Sequence, residues 1–297
     1  MSLANIDRTR PPFQEVSPVE AERLLGEGAV AVDVRTAREH EEAGHLPGSM
    51  LLPLAMLSSA PAVLPDDGRP LLVYCDNGVR SRRAADLLGE AGIPGVRHLR
   101  GGLDAWTGPR ARGRSPVSGP SPWLVANAAL APRGARTLDV ACGRGRHALF
   151  LAAAGYPVKA VDRDPSRVEA LRSLARRLRL PLDVEAVDLE EAPTSLGEEE
   201  WELVVVFHYL HRPLFPKLVR ALRPGGLLLY ETYTREQAPR GKPTNPAFLL
   251  EPGELPRLVA PLEVVRQREG EHDGRHVASV AARKPRPKPR ARPSRTR

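Results

Sequence analysis

Two short segments hold residues whose types and spacing could do chemistry. In LLVYCDNGVRSRRAADLLGEAG an apolar run ends at Cys75, and a polar loop of six residues runs from Cys75 to Arg80. A helical pattern then starts near Ser81, a suitable N-cap residue, and Gly78 is free to take a positive φ. In that geometry backbone N–H groups and the helix N-terminus converge on the sulfur, while Arg80 adds a full positive charge. All three favour thiolate over thiol, which makes Cys75 a nucleophile near neutral pH. No separate general base is required, because a persulfide on that sulfur would also ionise easily. The second segment is TLDVACGRGRHALFLAAAGY, and Asp162 ends the next apolar run, 17 residues after Gly145. Read as G-x-G-x-x-A, residues 143–148 match the dinucleotide fingerprint, so a nicotinamide-dinucleotide domain is the first candidate. Asp139 opposes it. Four residues before Gly143 it would face a pyrophosphate with like charge, whereas it suits the ammonium of an amino-acid moiety; Arg144 and Arg146 remain compatible with a phosphate.

These residues need elements to hold them. On the left, β-type runs at 29–34, 50–54 and 71–75 alternate with helical patterns at 19–27, 37–43 and 81–91. On the right, runs at 137–141, 158–161, 184–187, 203–207 and 227–230 alternate with helical patterns at 147–154, 165–180, 214–222 and 252–259. Two final runs, 262–267 and 277–282, are joined by GEHDGR and predict a closing hairpin. Between the halves, GPRARGRSPVSGPSP is rich in Pro, Gly, Ser and Arg and has no periodicity, which marks a linker over 109–122. No internal repeat relates the halves. Both are α/β with mainly parallel sheets, and 297 residues suit two domains.

Composition narrows the function classes. The chain is 41% hydrophobic and 27% charged, as expected of a soluble globular protein. Its longest nearly apolar run, 148–155, is far short of the ~20 residues of a membrane span, so no membrane partner is expected. MSLANIDRTR has no apolar signal core, which predicts a cytoplasmic protein. Two cysteines, Cys75 and Cys142, give neither a disulfide framework nor metal-ligand spacing, so no metal is expected. Only 5 of 44 basic residues are lysine, a bias that suits a GC-rich bacterium. The net charge of +8 resides in the tail RKPRPKPRARPSRTR; without it 36 basic residues face 36 acidic ones. That Pro-spaced tail, 284–297, predicts a disordered extension capable of weak, sequence-independent contact with nucleic-acid phosphates. It has no aromatic residue to stack a base.

The first segment does not stand alone. The Asp-Val-Arg at Asp33–Arg35, the Gly-His-Leu-Pro-Gly at Gly44–Gly48, the Cys75 loop and the Gly-Gly-Leu-x-Ala-Trp at Gly101–Trp106 resemble the landmarks of the rhodanese family over 13–108. The resemblance implies a single-domain rhodanese whose catalytic residues are Cys75, carrying a persulfide sulfur, and Arg80. Asp76 and Asn77 stand where many thiosulfate-using members carry Arg or Lys, which puts a dianionic donor in doubt.

The second segment, L-D-V-A-C-G-R-G, resembles the glycine motif of class I S-adenosylmethionine-dependent methyltransferases. So do Asp188 in AVDLEE, the turn in LRPGGLLLYE and the terminal hairpin, which would supply the family's inserted antiparallel strand. The implied fold is a small rhodanese α/β domain with a parallel sheet, followed over 123–283 by a Rossmann-like seven-stranded class I methyltransferase domain. The implied cofactor is S-adenosylmethionine, bound by Asp139, Ala141, Cys142, Gly143, Gly145, Asp162, Arg163, Asp188, Leu189 and Phe207. Asp162 would hold the ribose hydroxyls and Asp188 would meet the adenine N6; Asp164 and Pro165 would be N-cap and N1 of the next helix. Ala141 replaces the first glycine of the usual triplet, and Cys142 packs beside the cofactor.

VVVFHYLHRP contains no Asn-Pro-Pro-Tyr and the chain no Pro-Cys pair, so amide-nitrogen and pyrimidine-C5 methylation are not supported. The glycine stretch is most similar to the tellurite-resistance methyltransferases, which implies a small, soft, anionic acceptor. His208, Tyr209 and His211 fall where the fourth strand would meet it. A long Pro-rich loop, 234–251, holds Arg235, Arg240 and Lys242 and reads as a lid, with Arg240 and Lys242 drawing in the anion. Partners are then a small-molecule acceptor and a sulfur donor. A sulfurtransferase with a degenerate second domain, or an RNA methyltransferase anchored by the tail, are the alternatives. A flexible linker of about 14 residues reaches roughly 20 Å. A released thiol or sulfide, not Cys75 itself, is therefore the expected acceptor unless the two mouths face each other.

Overall fold

Short runs rich in Val, Leu and Ala, each followed by a helix or loop, become the central strands of two sheets and are buried on both faces, as parallel sheets require. The computed structural model describes residues 13–65, 67–113, 119–191 and 195–286. The first sheet contains β1 Gln14–Val16, β2 Val30–Asp33, β3 Met50–Leu51, β4 Leu71–Tyr74 and β5 Val96–Leu99 in the order β1-β5-β4-β2-β3. Helices α1 Pro18–Gly26, α2 Ala37–Glu42 and α3 Val79–Glu90 cover it. Ser17 with Glu20 and Thr36 with Glu39 form complete capping boxes at α1 and α2. The register pairs Asp33 with Tyr74, so Arg35–Thr36 and the Cys75 loop leave the sheet side by side. β1 and β5 were not among the expected runs; they are three and four residues long.

The second sheet has seven strands: β6 Thr137–Val140, β7 Val158–Asp162, β8 Leu182–Ala186, β9 Trp201–Phe207, β10 Leu222–Tyr233, β11 Glu263–His272 and β12 Arg275–Arg283. Their order is β11-β12-β10-β9-β6-β7-β8, with β12 inserted antiparallel between β10 and β11. Its helices are α4 Pro122–Asn127, α5 Arg146–Ala153, α6 Pro165–Arg177, α7 Phe215–Ala221 and α8 Leu255–Leu258. Asp164 caps α6 and Pro165 is its first residue, as expected. The hairpin is longer than its apolar runs suggested, because most of GEHDGR is strand and the turn lies at Asp273–Gly274.

The domains do not hang on a free tether. Trp123, Leu124 and Ala128 pack in one cluster with Leu57, Val63 and Leu64 of the first domain, and Arg133 donates to the Leu64 carbonyl at 3.0 Å. The expected linker is ordered at both ends. Ala111 bridges His45, and Ser121 caps α4 while donating to Glu231 at 2.9 Å; residues 114–118 of that linker lie outside the described residues. The basic run also begins inside the fold: Arg283 ends β12, and Lys284 bonds Glu199 and the Leu222 carbonyl. The rest of the expected tail, 287–297, lies outside the described residues.

Candidate active sites

Cys75 follows β4 and is fully buried, with its Sγ 3.3 Å from Ser81 Oγ and receiving the Ser81 N–H at 3.4 Å. Ser81 is not the N-cap. Gly78, at φ 90°, takes that position, so α3 starts at Val79 and Ser81 falls in its first turn, facing the sulfur. The Ser81 N–H is thus the backbone donor brought to Sγ among the described residues. His98 on β5 lies 3.1 Å from Ser81 Oγ and 3.0 Å from the Gly78 carbonyl, supporting this turn from beneath. The expectation for Arg80 needs correction. Its guanidinium forms ion pairs at 2.6 Å with both Glu39 and Asp76, so most of its charge is compensated before it reaches the sulfur. Hydrogen bonds from Arg80 hold Glu39 well below the usual carboxylate range. Asp76 in turn sits between Arg80 and Arg35, which donates to it at 2.8 Å, so its repulsion toward a dianionic donor is largely offset.

Gly102 clamps the loop. It sits at φ 57°, and a Cβ there would collide with the carbonyl oxygens of Cys75 and Asp76. The N–H groups of Leu103 and Asp104 bond those same carbonyls at 2.9 and 2.8 Å. Gly102→Ala is expected to cost about 2 kcal/mol or more, through strain and backbone displacement. Urea unfolding measures it, and sulfur-transfer activity should fall with it; an unchanged midpoint would contradict the clamp.

The second cleft, of about 610 Å³, opens at the C-terminal ends of β6, β7 and β9. After β6 the chain turns through left-handed residues Ala141 (φ 56°), Gly143 (φ 59°) and Gly145 (φ 75°). A Cβ on Gly143 would meet nothing within 4 Å, whereas one on Gly145 would strike Leu171. Gly143 therefore faces the cleft and Gly145 serves packing at the start of α5. Asp139 is 1% exposed, its Oδ2 has no partner, and burial pushes its carboxyl up to about 7. Asp162 accepts the Gly143 N–H at 2.8 Å and the Asp164 N–H at 3.1 Å, which fixes the glycine loop to the end of β7.

Ala141, Cys142, Arg163, Asp188, Leu189 and Phe207 line the same cleft, as do His208 and Tyr209. Burial raises the Cys142 thiol, consistent with packing and against a thiolate role. His208, at φ 59°, stacks on Tyr233 at 4.9 Å, and its Nε2 lies 3.5 Å from Arg146 Nη2 and 3.4 Å from Arg275 Nη1. Burial, with Arg146 adding, lowers His208 to about 4, so the ring is neutral near pH 7.

A model described as a rhodanese-like domain matches residues 17–109, and one described as a methyltransferase domain matches residues 137–226. The thiosulfate sulfurtransferase GlpE of Haemophilus influenzae is 34% identical over 100 residues, 32% of this chain and 89% of GlpE. The chain belongs to the rhodanese family. Its rhodanese domain is followed by a methyltransferase domain. Hemagglutinin 1 of Eikenella corrodens is 32% identical over 139 residues, 45% of this chain, and the match spans about half (46%) of that protein's length. Among solved structures, TehB from Haemophilus influenzae is similar at 20% identity and a TM-score of 0.45, over 55% of this chain and 61% of TehB.

The methyltransferase domain departs from expectation in three places. His211 precedes a short 3-10 helix, Arg212–Leu214, and lines none of the cavities around His208. Arg240 is ion-paired with Glu271 at 2.5 Å, so its charge is already balanced, while Lys242 lines a neighbouring cavity with His208 and Tyr209. The segment 234–251 is not an open loop. It holds two 3-10 helices, Arg235–Arg240 and Pro246–Phe248, anchored by buried Gln237 accepting the His276 N–H at 2.8 Å and by the Arg235–Glu251 ion pair. Its prolines and charges concealed that order in the sequence. Arg275 and Tyr233 were missed as cleft residues, because one sits in the hairpin turn and the other ends a long strand. No group of His, Cys, Asp and Glu among the described residues could hold a metal ion, and no described helix is long and apolar enough to cross a membrane.

Proposed function

We propose that the chain is a bifunctional transferase: a rhodanese domain that carries sulfur as a persulfide on Cys75, and a methyltransferase domain that methylates a small, soft anion using S-adenosylmethionine. The observation that carries the second half is the unpartnered, buried Asp139 Oδ2 beside a left-handed glycine loop. A carboxylate so placed calls for a cationic ligand group. The residues fit the cofactor: Asp139 for its ammonium, open space at Gly143 for close approach, Asp162 for the ribose and Asp188 for the adenine amine. When bound, it supplies a methyl group on a sulfonium, already a good electrophile. The protein's part is then positioning and exclusion of water. Beside neutral His208, Arg275 is a cation on the cleft wall that would orient an anionic acceptor. The full set of acids argues against a vestigial domain.

Titration calorimetry with S-adenosylmethionine tests this reading. Asp139 in the free protein is half protonated near pH 7, and a cationic ligand favours its ionised form. Affinity should therefore rise with pH through about 7 and level off above, with proton release visible as a buffer-dependent heat. Asp139→Asn should abolish the proton release, and Asp162→Ala should weaken binding by about 30-fold or more, through loss of a charged hydrogen-bond acceptor. Binding of NAD with no response to S-adenosylmethionine would overturn the assignment.

A further inference from the structure

The sulfur loop is short of positive charge. Beside Cys75 the guanidiniums of Arg35 and Arg80 are joined to three carboxylates, those of Asp33, Glu39 and Asp76. His40 meets Asp33 through Nδ1. An anion on a fully buried sulfur next to such a network calls for a further cation or donor. On its other side the sulfur meets Ser81, whose Oγ lies 3.3 Å from Sγ, and behind Ser81 stands His98 of β5.

The surroundings of His98 fix where its protons go. The ring is 4% exposed, and its Nε2 lies 3.0 Å from the Gly78 carbonyl and 3.1 Å from Ser81 Oγ. A carbonyl only accepts, so Nε2 carries a proton. Nδ1 is buried with no hydrogen-bond partner among the described residues, and Glu15 Oε2 on β1 stands 3.6 Å from it. A carboxylate also asks for an N–H. Both ring nitrogens thus face acceptors, which suits an imidazolium; either neutral tautomer sets a lone pair against one of them. Glu15 is shared with Arg82 at 3.4 Å and Arg100 at 3.1 Å. Those two side chains are 62% and 64% exposed, so water screens them, whereas His98 is enclosed. The Phe13 ring packs edge-on against His98, with centroids 5.7 Å apart.

The same contacts orient Ser81. Its hydroxyl has one proton and two acceptors in reach, the Gly78 carbonyl at 3.2 Å and the sulfur. The Nε2–H of His98 satisfies that carbonyl, which frees the hydroxyl proton for Sγ. There it joins the Ser81 backbone N–H, 3.4 Å from the same sulfur.

We propose that His98 is a positioning residue for the sulfur chemistry: as an imidazolium backed by Glu15, it acts through Ser81 to hold Cys75 as an anion, both as thiolate and as persulfide. The role rests on the reading of Cys75 as the sulfur carrier, yet the ionisation it asserts needs no sulfur donor. His98 supplies the charge that Arg80, already paired twice, does not.

Ultraviolet titration of the thiolate in the full chain tests this, with Cys75→Ser as the blank that retains every other chromophore, Cys142 included. His98→Gln keeps an amide N–H for Gly78 and Ser81 and removes the charge. The pH at which the thiolate is half formed should rise by about 1 unit, a tenfold loss of ionisation. Coupled ionisations are reciprocal, so Cys75→Ser should lower the pH at which His98 loses its proton by a similar amount, read from its ring C–H signals by NMR. That arm leaves His98 unchanged and decides the matter if His98→Gln does not fold. A half-point within about 0.3 unit of wild type in folded His98→Gln, a His98 titration unmoved by Cys75→Ser, or a His98 ring that is neutral wherever the thiolate is present would overturn the proposal. If both shifts appear in a protein that transfers no sulfur, the positioning stands and the persulfide reading falls.

Discussion

Cys75→Ser is expected to abolish cyanide-trapped sulfur transfer, by about 10³-fold or more, while leaving S-adenosylmethionine binding within twofold. The substitution replaces one atom. A serine oxygen at this position keeps its neighbours, because Ser81 can bond oxygen as it bonds sulfur, so the loop between Gly78 and Ser81 has no reason to move. What is lost is chemistry: an alkoxide at neutral pH is scarce, and it cannot carry a labile second sulfur. The acids of the second cleft lie on another sheet, and Cys75 is not among the residues that line that cleft. A purified variant that keeps its sulfur-transfer rate would show that the sulfur is carried elsewhere. A variant that loses both sulfur transfer and cofactor affinity would show that the shared core around Trp123 and Leu57 transmits damage between the domains.

What could be read from the chain depended on how local the physics was. The strand end at Cys75, the glycine loop at Gly143–Gly145 and the Asp164–Pro165 helix start are each fixed within a few residues, and each was legible. The apolar runs and the closing hairpin were legible from spacing, whereas the seven-stranded sheet with its inserted antiparallel strand was implied by the resemblance to class I methyltransferases. The partners of charges were not legible. Arg80 looked like a free cation beside the sulfur, but its carboxylates, Asp76 four residues away and Glu39 forty-one away, come together only because β2 and β4 are neighbours. Arg240 looked free for the same reason, and Glu271 balances it from the hairpin. How the two domains pack against each other was not legible either. It depends on how α4 seats the second domain on the 3-10 helix Leu54–Val63, a packing decision spread over both cores.

Arg35 shows how a sequence landmark of the family becomes a physical requirement. It is fully buried, donates through Nε and Nη2 to fully buried Asp33, through Nη2 to the Gly44 carbonyl at 2.7 Å, and through Nη1 to Asp76 at 2.8 Å. One guanidinium thus joins the end of β2, the Gly44 turn and the cysteine loop. Burial alone would raise the Asp33 carboxyl, but the bonds from His40 and Arg35 outweigh it and hold Asp33 below its ordinary value of 3.8. Arg35→Met keeps much of the side-chain volume and removes the charge. It is expected to cost about 3–5 kcal/mol, because Asp33 is left as an undercompensated buried charge. That is a large share of the roughly 5–15 kcal/mol of a whole domain. The sign with pH follows from the lowered carboxyl: wild-type stability from this group is complete above the ordinary carboxylate value and is lost as pH falls from there through the lowered native value. Arg35→Met should flatten that loss, since the lowering disappears with the guanidinium. Urea midpoints at pH 7 and at about pH 2.5, below the ordinary carboxylate value, measure both effects. The double variant Asp33→Asn with Arg35→Met should be more stable than Arg35→Met alone, because no unpaired charge then remains in the core. If Arg35→Met unfolds within about 1 kcal/mol of wild type, or if removing Asp33 as well costs further stability, the ion pair is not what joins the strand end to the sulfur loop.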